Sequence, residues 1–233
     1  MRIGIFIVST VVFTCLLAVL QQKINLDFET ISLPQLAPAA GFIIISLIFA
    51  DMNFSVNITF NRVIAIKILM AFVIPLLLFS ISFFAGKQAG LSIKLTENLQ
   101  SVVPGMFMGI IIGAAGEEIG WRNFLQPILE KKYTVLIASI AVGTIWGLWH
   151  IGHYKNGLLF MVGFLIFTIS ASVIIAWLLR GTQFNITIAA AFHIAVNLGF
   201  IAFFKNSLTD SRLMIINGVV WLIPAIIVTV KGY

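Results

Sequence analysis

Apolar residues run through this chain in long blocks broken by short polar connections, and eight of these blocks are candidate membrane spans. They run from Ile3 to Leu20, about Pro38 to Phe54, Val63 to Phe84, Val103 to Leu129, Thr134 to about Tyr154, Gly157 to Leu179, Phe184 to Phe204, and Leu213 to Val230. A helix crossing the hydrocarbon core needs about 20 predominantly apolar residues. A membrane barrel would instead alternate apolar and polar positions in segments of about 10 residues. The pattern therefore predicts an all-α polytopic bundle of about eight transmembrane helices. The connection through Asp27, Glu29 and Pro34 is polar and has room for an interfacial helix. Asn185 and Thr187 stand where they can cap the seventh span. Short connections leave no place for a separate soluble domain, so residues 1–233 read as one membrane domain.

Composition agrees: 61% of the residues are hydrophobic and only 9% charged, against roughly 25% charged in soluble domains. The net charge of +6 is scattered through the connections. It forms no basic stripe of the kind that binds nucleic acid and suits contact with anionic lipid headgroups. Basic residues divide almost evenly between the two sides, which sets no orientation. Cys15 is the only cysteine, so neither an intrachain disulfide nor a cysteine metal site is available. Gln21-Gln22-Lys23 is a poor cleavage site, so the first span is expected to stay attached.

Most charges lie at span ends, where long side chains reach the interface. Glu117, Glu118 and Arg122 lie well inside the fourth span. Each charge at mid-membrane costs about 2.5–3.5 kcal/mol on insertion scales, so three together need a reason. Glu118 and Arg122 are four apart and share a helical face. Glu117 is rotated about 100° from Glu118 and is free to point elsewhere. One glutamate for chemistry and one held by arginine is the natural division. A packing role for the ion pair, with the second glutamate protonated, is the plainer alternative.

His150 closes Trp146-Gly147-Leu148-Trp149-His150, and His193 and Asn197 stand four apart on one face of the seventh span. His153 and Lys155 fall at the end of the fifth span, where a solvated role is expected. A carboxylate beside two imidazoles suits peptide hydrolysis in two ways. Either Glu117 takes a proton from attacking water while His193 and Asn197 donate to the oxyanion and His150 orients the water or protonates the leaving amine, or Glu117, His150 and His193 hold one zinc ion. No H-E-x-x-H pair singles out zinc.

The ordered set, Glu-Glu with arginine following, then aromatic-x-x-x-His ending at His150, then His-x-x-x-Asn, resembles the CPBP family of CAAX prenyl endopeptidases and bacteriocin-processing enzymes, also called Abi proteins. The specific match covers residues 113–198. The resemblance implies an intramembrane endopeptidase with Glu117 as catalytic base and His150, His193 and Asn197 completing the site. Glu118 and Arg122 support it. Trp146 departs from the phenylalanine often found there and keeps an aromatic surface. A peptide or lipidated protein would be the substrate, membrane lipid the surroundings, and the cell membrane the location. Two other classes fit a buried polar cluster: a non-enzymatic immunity or scaffold protein, and a transporter that relays protons through Glu117 and the histidines.

Overall fold

The computed structural model describes residues 1–28, 30–49, 55–96 and 104–232. Glu29, Phe54 and Val103, used above to mark a connection and two span ends, lie outside them. Nine α-helices appear among the described residues, with no strand. They are α1 (Arg2–Lys23), α2 (Ala37–Ile48), α3 (Arg62–Gln88), α4 (Pro104–Gly120), α5 (Gln126–Glu130), α6 (Val135–Trp149), α7 (Leu158–Leu179), α8 (Ile186–Phe204) and α9 (Ser211–Val230). Helices α1, α3, α7 and α9, and α8 with the turn that extends it to Ser207, are each long and apolar enough to cross a membrane. The chain is thus an integral membrane protein of the all-α class.

The remaining expected spans are less simple than their hydropathy. At 1.5 Å per residue, α2 and α6 are about 18 and 22 Å long, short of a core about 30 Å thick. The fourth span is a composite. α4 passes without a break into a π-helical turn, Trp121–Leu125, and then into α5. Pro127 lacks the N–H that would bond to the carbonyl of Asn123, a local reason for the ladder to slip here. Such turns are frequent at functional sites.

Helix α7 is the most buried of the long helices, and α1 the least. α7 packs along α9 and against α6, while α3 packs on α8. The α7–α9 contact is close because glycines face backbone. A Cβ at Gly163 would lie 2.7 Å from the backbone of Met214, and one at Gly218 would lie 2.7 Å from the Gly163 carbonyl. Without a hydrophobic drive between helices in lipid, such close packing is a main source of association. Between α3, α7, α8 and α9 an aromatic cluster fills the core, with Phe79, Phe167, Phe200 and Trp221 in mutual edge or tilted contact. Asn185 caps α8 as expected, accepting from the Thr187 N–H at 3.1 Å. Asp210 caps α9 in the same way.

Between α1 and α2 the chain forms a strap rather than a helix along the interface. Residues 30–38, with a 3-10 turn at Leu33–Leu36, lie across a glycine face of α4. Gly109, Gly113, Gly116 and Gly120 all face it, and a Cβ at Gly109 would sit 2.0 Å from the carbonyl oxygen of Thr30. Only glycine permits so close an approach.

Candidate functional site

The two adjacent glutamates diverge as their helical positions require, and both are completely buried. Glu118 turns to a basic neighbourhood. Its Oε1 accepts from Arg122 Nη1 at 3.0 Å and from His193 Nδ1 at 2.8 Å. Arg122 also lies over the Trp146 ring, 4.7 Å from its centroid, a cation–π contact that helps keep the guanidinium within the bundle. His193 is buried beside them, 5.3 Å from Trp146 ring to ring.

Glu117 faces the other way, into a cavity of about 750 Å³. Two neutral donors hold it: Gln35 Nε2 at 3.0 Å on Oε1, and Trp146 Nε1 at 2.7 Å on Oε2. Strap and helix therefore each contribute one N–H. His150, His153 and Asn197 line the same cavity, and Trp149 closes one side of it. Trp149 is fixed in turn by its Nε1–H bond to Thr14 Oγ1 of α1, at 2.8 Å.

His150 stands where α6 ends, with non-helical ψ of 62°. Its Nδ1 donates to the Trp146 carbonyl at 2.8 Å, because a carbonyl only accepts. Neutral His150 thus carries its proton on Nδ1 and leaves Nε2 as an acceptor. At His193 the Nδ1–H likewise donates to the Glu118 carboxylate. Donation from His193 Nε2 then requires the doubly protonated ring, whose charge Glu118 would balance.

The structure places Glu117, His150 and Asn197 on the wall of one cavity. The Glu118–Arg122 pair expected from helical spacing is present. His193, expected in the same catalytic set, is bound to Glu118 and is not part of the cavity wall. His153, expected to be solvated, instead stacks parallel to His150, at 5.6 Å between centroids and 1° between planes. It lies beyond the end of α6. Burial pushes its imidazole down to about 4, with the neighbouring His150 and Lys155 adding to the effect. Gln35 was missed altogether. It is 82 positions from Glu117 in a stretch read only as a polar connection, so no local spacing could have exposed it. Trp146 was expected to matter through its ring surface, and its N–H turns out to bond the candidate base.

Among the described residues no three His, Cys, Asp or Glu side chains come together in a way that could hold a metal ion. The zinc alternative on Glu117, His150 and His193 does not fit this arrangement.

Residues 98–199 match the Rce1-like type II CAAX prenyl endopeptidase family. Among curated proteins, the chain is similar to lysostaphin resistance protein A of Staphylococcus haemolyticus strain JCSC1435. The two are 30% identical over 220 residues, which cover 90% of this chain and 59% of the relative. The namesake of Staphylococcus aureus strain Newman is 29% identical over 228 residues, covering 90% of this chain and 51% of that protein. The chain thus spans between half and three-fifths of these relatives' length. Over the stretch that carries the two glutamates, both histidine motifs and the π turn, the chain matches the Rce1-like family, in keeping with its resemblance to the CPBP family.

Proposed function

We propose that this protein is an intramembrane endopeptidase of the cell membrane, hydrolysing a peptide bond in a peptide or lipidated protein presented from the lipid. The observation that carries the reading is Glu117: a buried carboxylate at the wall of a cavity within membrane helices, held by neutral donors and, among the described residues, left without a cation of its own. A group kept there for packing alone would be better served by the pairing given to Glu118, because an unpaired buried carboxylate is costly.

In this reading Glu117 accepts a proton from a water that attacks the scissile carbonyl. His150 Nε2 accepts a hydrogen bond from the same water and so orients it. The proton gathered on the Glu117–His150 side then passes to the leaving amine. Asn197, which lines the cavity, donates its amide N–H to the developing oxyanion, and a donor of this kind contributes a few kcal/mol. His193 stands behind this wall, bound to Glu118, and in this reading it holds the polar cluster together with Arg122 rather than touching the substrate.

The test is cleavage of a quenched-fluorescence peptide library, including prenylated members, by the protein reconstituted in lipid vesicles. Cleavage that Glu117→Gln abolishes supports the reading, and full cleavage by that variant would sink it. The name of the staphylococcal relatives favours a second reading, in which the chain takes part in lysostaphin resistance without cutting any peptide bond. Resistance retained by the Glu117→Gln variant in a sensitive host would favour that alternative.

A further inference from the structure

We infer that Gln35 is a positioning residue for Glu117, and that the strap on α4 exists to deliver its amide; this rests on the peptidase reading. The terminal torsion of a glutamate is broad and roughly two-fold. One donor on one oxygen leaves the carboxylate free to swing about that bond. Donors on both oxygens fix its plane. Trp146 occupies Oε2 and Gln35 occupies Oε1, at 2.7 and 3.0 Å. Each carboxylate oxygen has a second lone pair, so the clamp still leaves Glu117 able to accept a proton from the cavity.

The strap is built as a fixed support. Its root is Gln21 of α1, completely buried, which donates to the carbonyls of Leu26 and Ile31 at 3.2 and 2.7 Å and accepts from the Leu33 N–H at 2.8 Å. Beyond that root the backbone presses into the glycine face of α4. Cβ atoms at Gly116 and Gly120 would fall 3.0 Å from the Gln35 carbonyl and 2.7 Å from that of Pro38. Gly113 faces the working end of the side chain: a Cβ there would lie 2.2 Å from Gln35 Oε1 and 2.7 Å from its Cδ. Gly113 thus leaves the space in which the amide reaches Glu117. Gln35 also lines the cavity itself, so substrate contact is the competing role for it.

The experiment compares wild type, Gln35→Met and Gly113→Ala in lipid vesicles, on whichever library peptide the wild type cleaves, with kcat and KM separated and unfolding followed in detergent. Methionine keeps the length and removes the donor. The alanine methyl displaces the amide from a position, 113, that does not itself line the cavity. Misplacing a reacting group by about 1 Å can cost about 100-fold, so both variants are expected to lose at least about tenfold in kcat while KM moves less than about twofold. An unchanged kcat in whichever variant folds overturns the proposal. A raised KM with kcat kept also overturns it and makes Gln35 a substrate contact. A wild type that cleaves nothing removes the peptidase reading, and the positioning role falls with it. An unchanged kcat in a folded variant beside an active wild type removes the positioning role and leaves that reading intact, so the two failures are told apart.

Discussion

Two faces of one helix treat neighbouring glutamates in opposite ways. On one face of α4, Glu118 meets Arg122 and His193 and is sealed into the bundle; on the other, Glu117 meets, among the described residues, only neutral N–H donors from the strap and α6 and opens on a cavity. The two side chains have the same composition, depth and burial. What separates them is the charge of their partners and access to space. An ion pair satisfies a carboxylate and removes it from chemistry, whereas neutral donors hold it in place and leave it free to take a proton.

The sharpest way to break this comparison is to remove each carboxylate's function in turn. Glu117→Gln is expected to lower kcat by about 10²–10⁴, the range a general base supplies, with a smaller drop in thermal unfolding than Arg122→Ala gives, since the amide keeps the shape while its nitrogen cannot accept from one of the two donors. Arg122→Ala is expected to act mainly on the fold. It leaves Glu118 short of its cation at depth and should destabilise by about 3–5 kcal/mol, read as a lowered Tm in detergent, with activity falling as a consequence. Unchanged stability would mean that Arg122 serves the cavity side instead.

Trp146→Phe sharpens the contrast at smaller scale. It keeps a ring against Arg122 and His193 but deletes the N–H bonded to Glu117, and a hydrogen bond to a charged group contributes about 1.5–3 kcal/mol. About tenfold lower kcat with unfolding nearly unmoved is the expected result; equal losses in both would place Trp146 with the structural face. The smallest effect expected is at His153. Its pKa lies near 4 in the folded protein and near 6.5 when unfolded. The unfolded chain therefore binds more protons between those values, and this residue's contribution falls as pH drops from about 6.5 towards 4. The loss is no more than about 2 kcal/mol at pH 5. His153→Phe should flatten that part of the stability curve, measured by unfolding at pH 7 and 5.

The membrane class and the split between the glutamates were legible because each rests on a short-range rule. Hydropathy needs only a window of neighbours, and the Glu118–Arg122 pair needs only helical spacing. The lengths of α2 and α6 were not legible, because apolar residues continue past points where the backbone leaves the helix, at Phe49 and at His150. Gln35 was hidden for a different reason. Its partner is set by how a strap packs on a glycine face, a relation between distant segments that leaves only glycines recurring every three or four residues on α4 as a trace. Trp146 shows the limit of matching residues by type: an indole in a phenylalanine position reads as a conservative change until its N–H is seen on a carboxylate.

The end of α6 carries a burden of its own. A helix that stops within the bundle must satisfy its last carbonyls locally. Here the Trp146 carbonyl takes His150 Nδ1, the Gly147 carbonyl takes the His150 N–H at 3.3 Å, and the Leu148 carbonyl takes the Tyr154 hydroxyl at 3.1 Å. His150 is therefore a C-terminal stopper as well as a cavity residue. Position 150 is constrained by folding even in a descendant that abandons its chemistry, whereas position 117 is released. In diverging lineages the histidine should outlast the glutamate, and its retention alone would be a poor sign of a living enzyme.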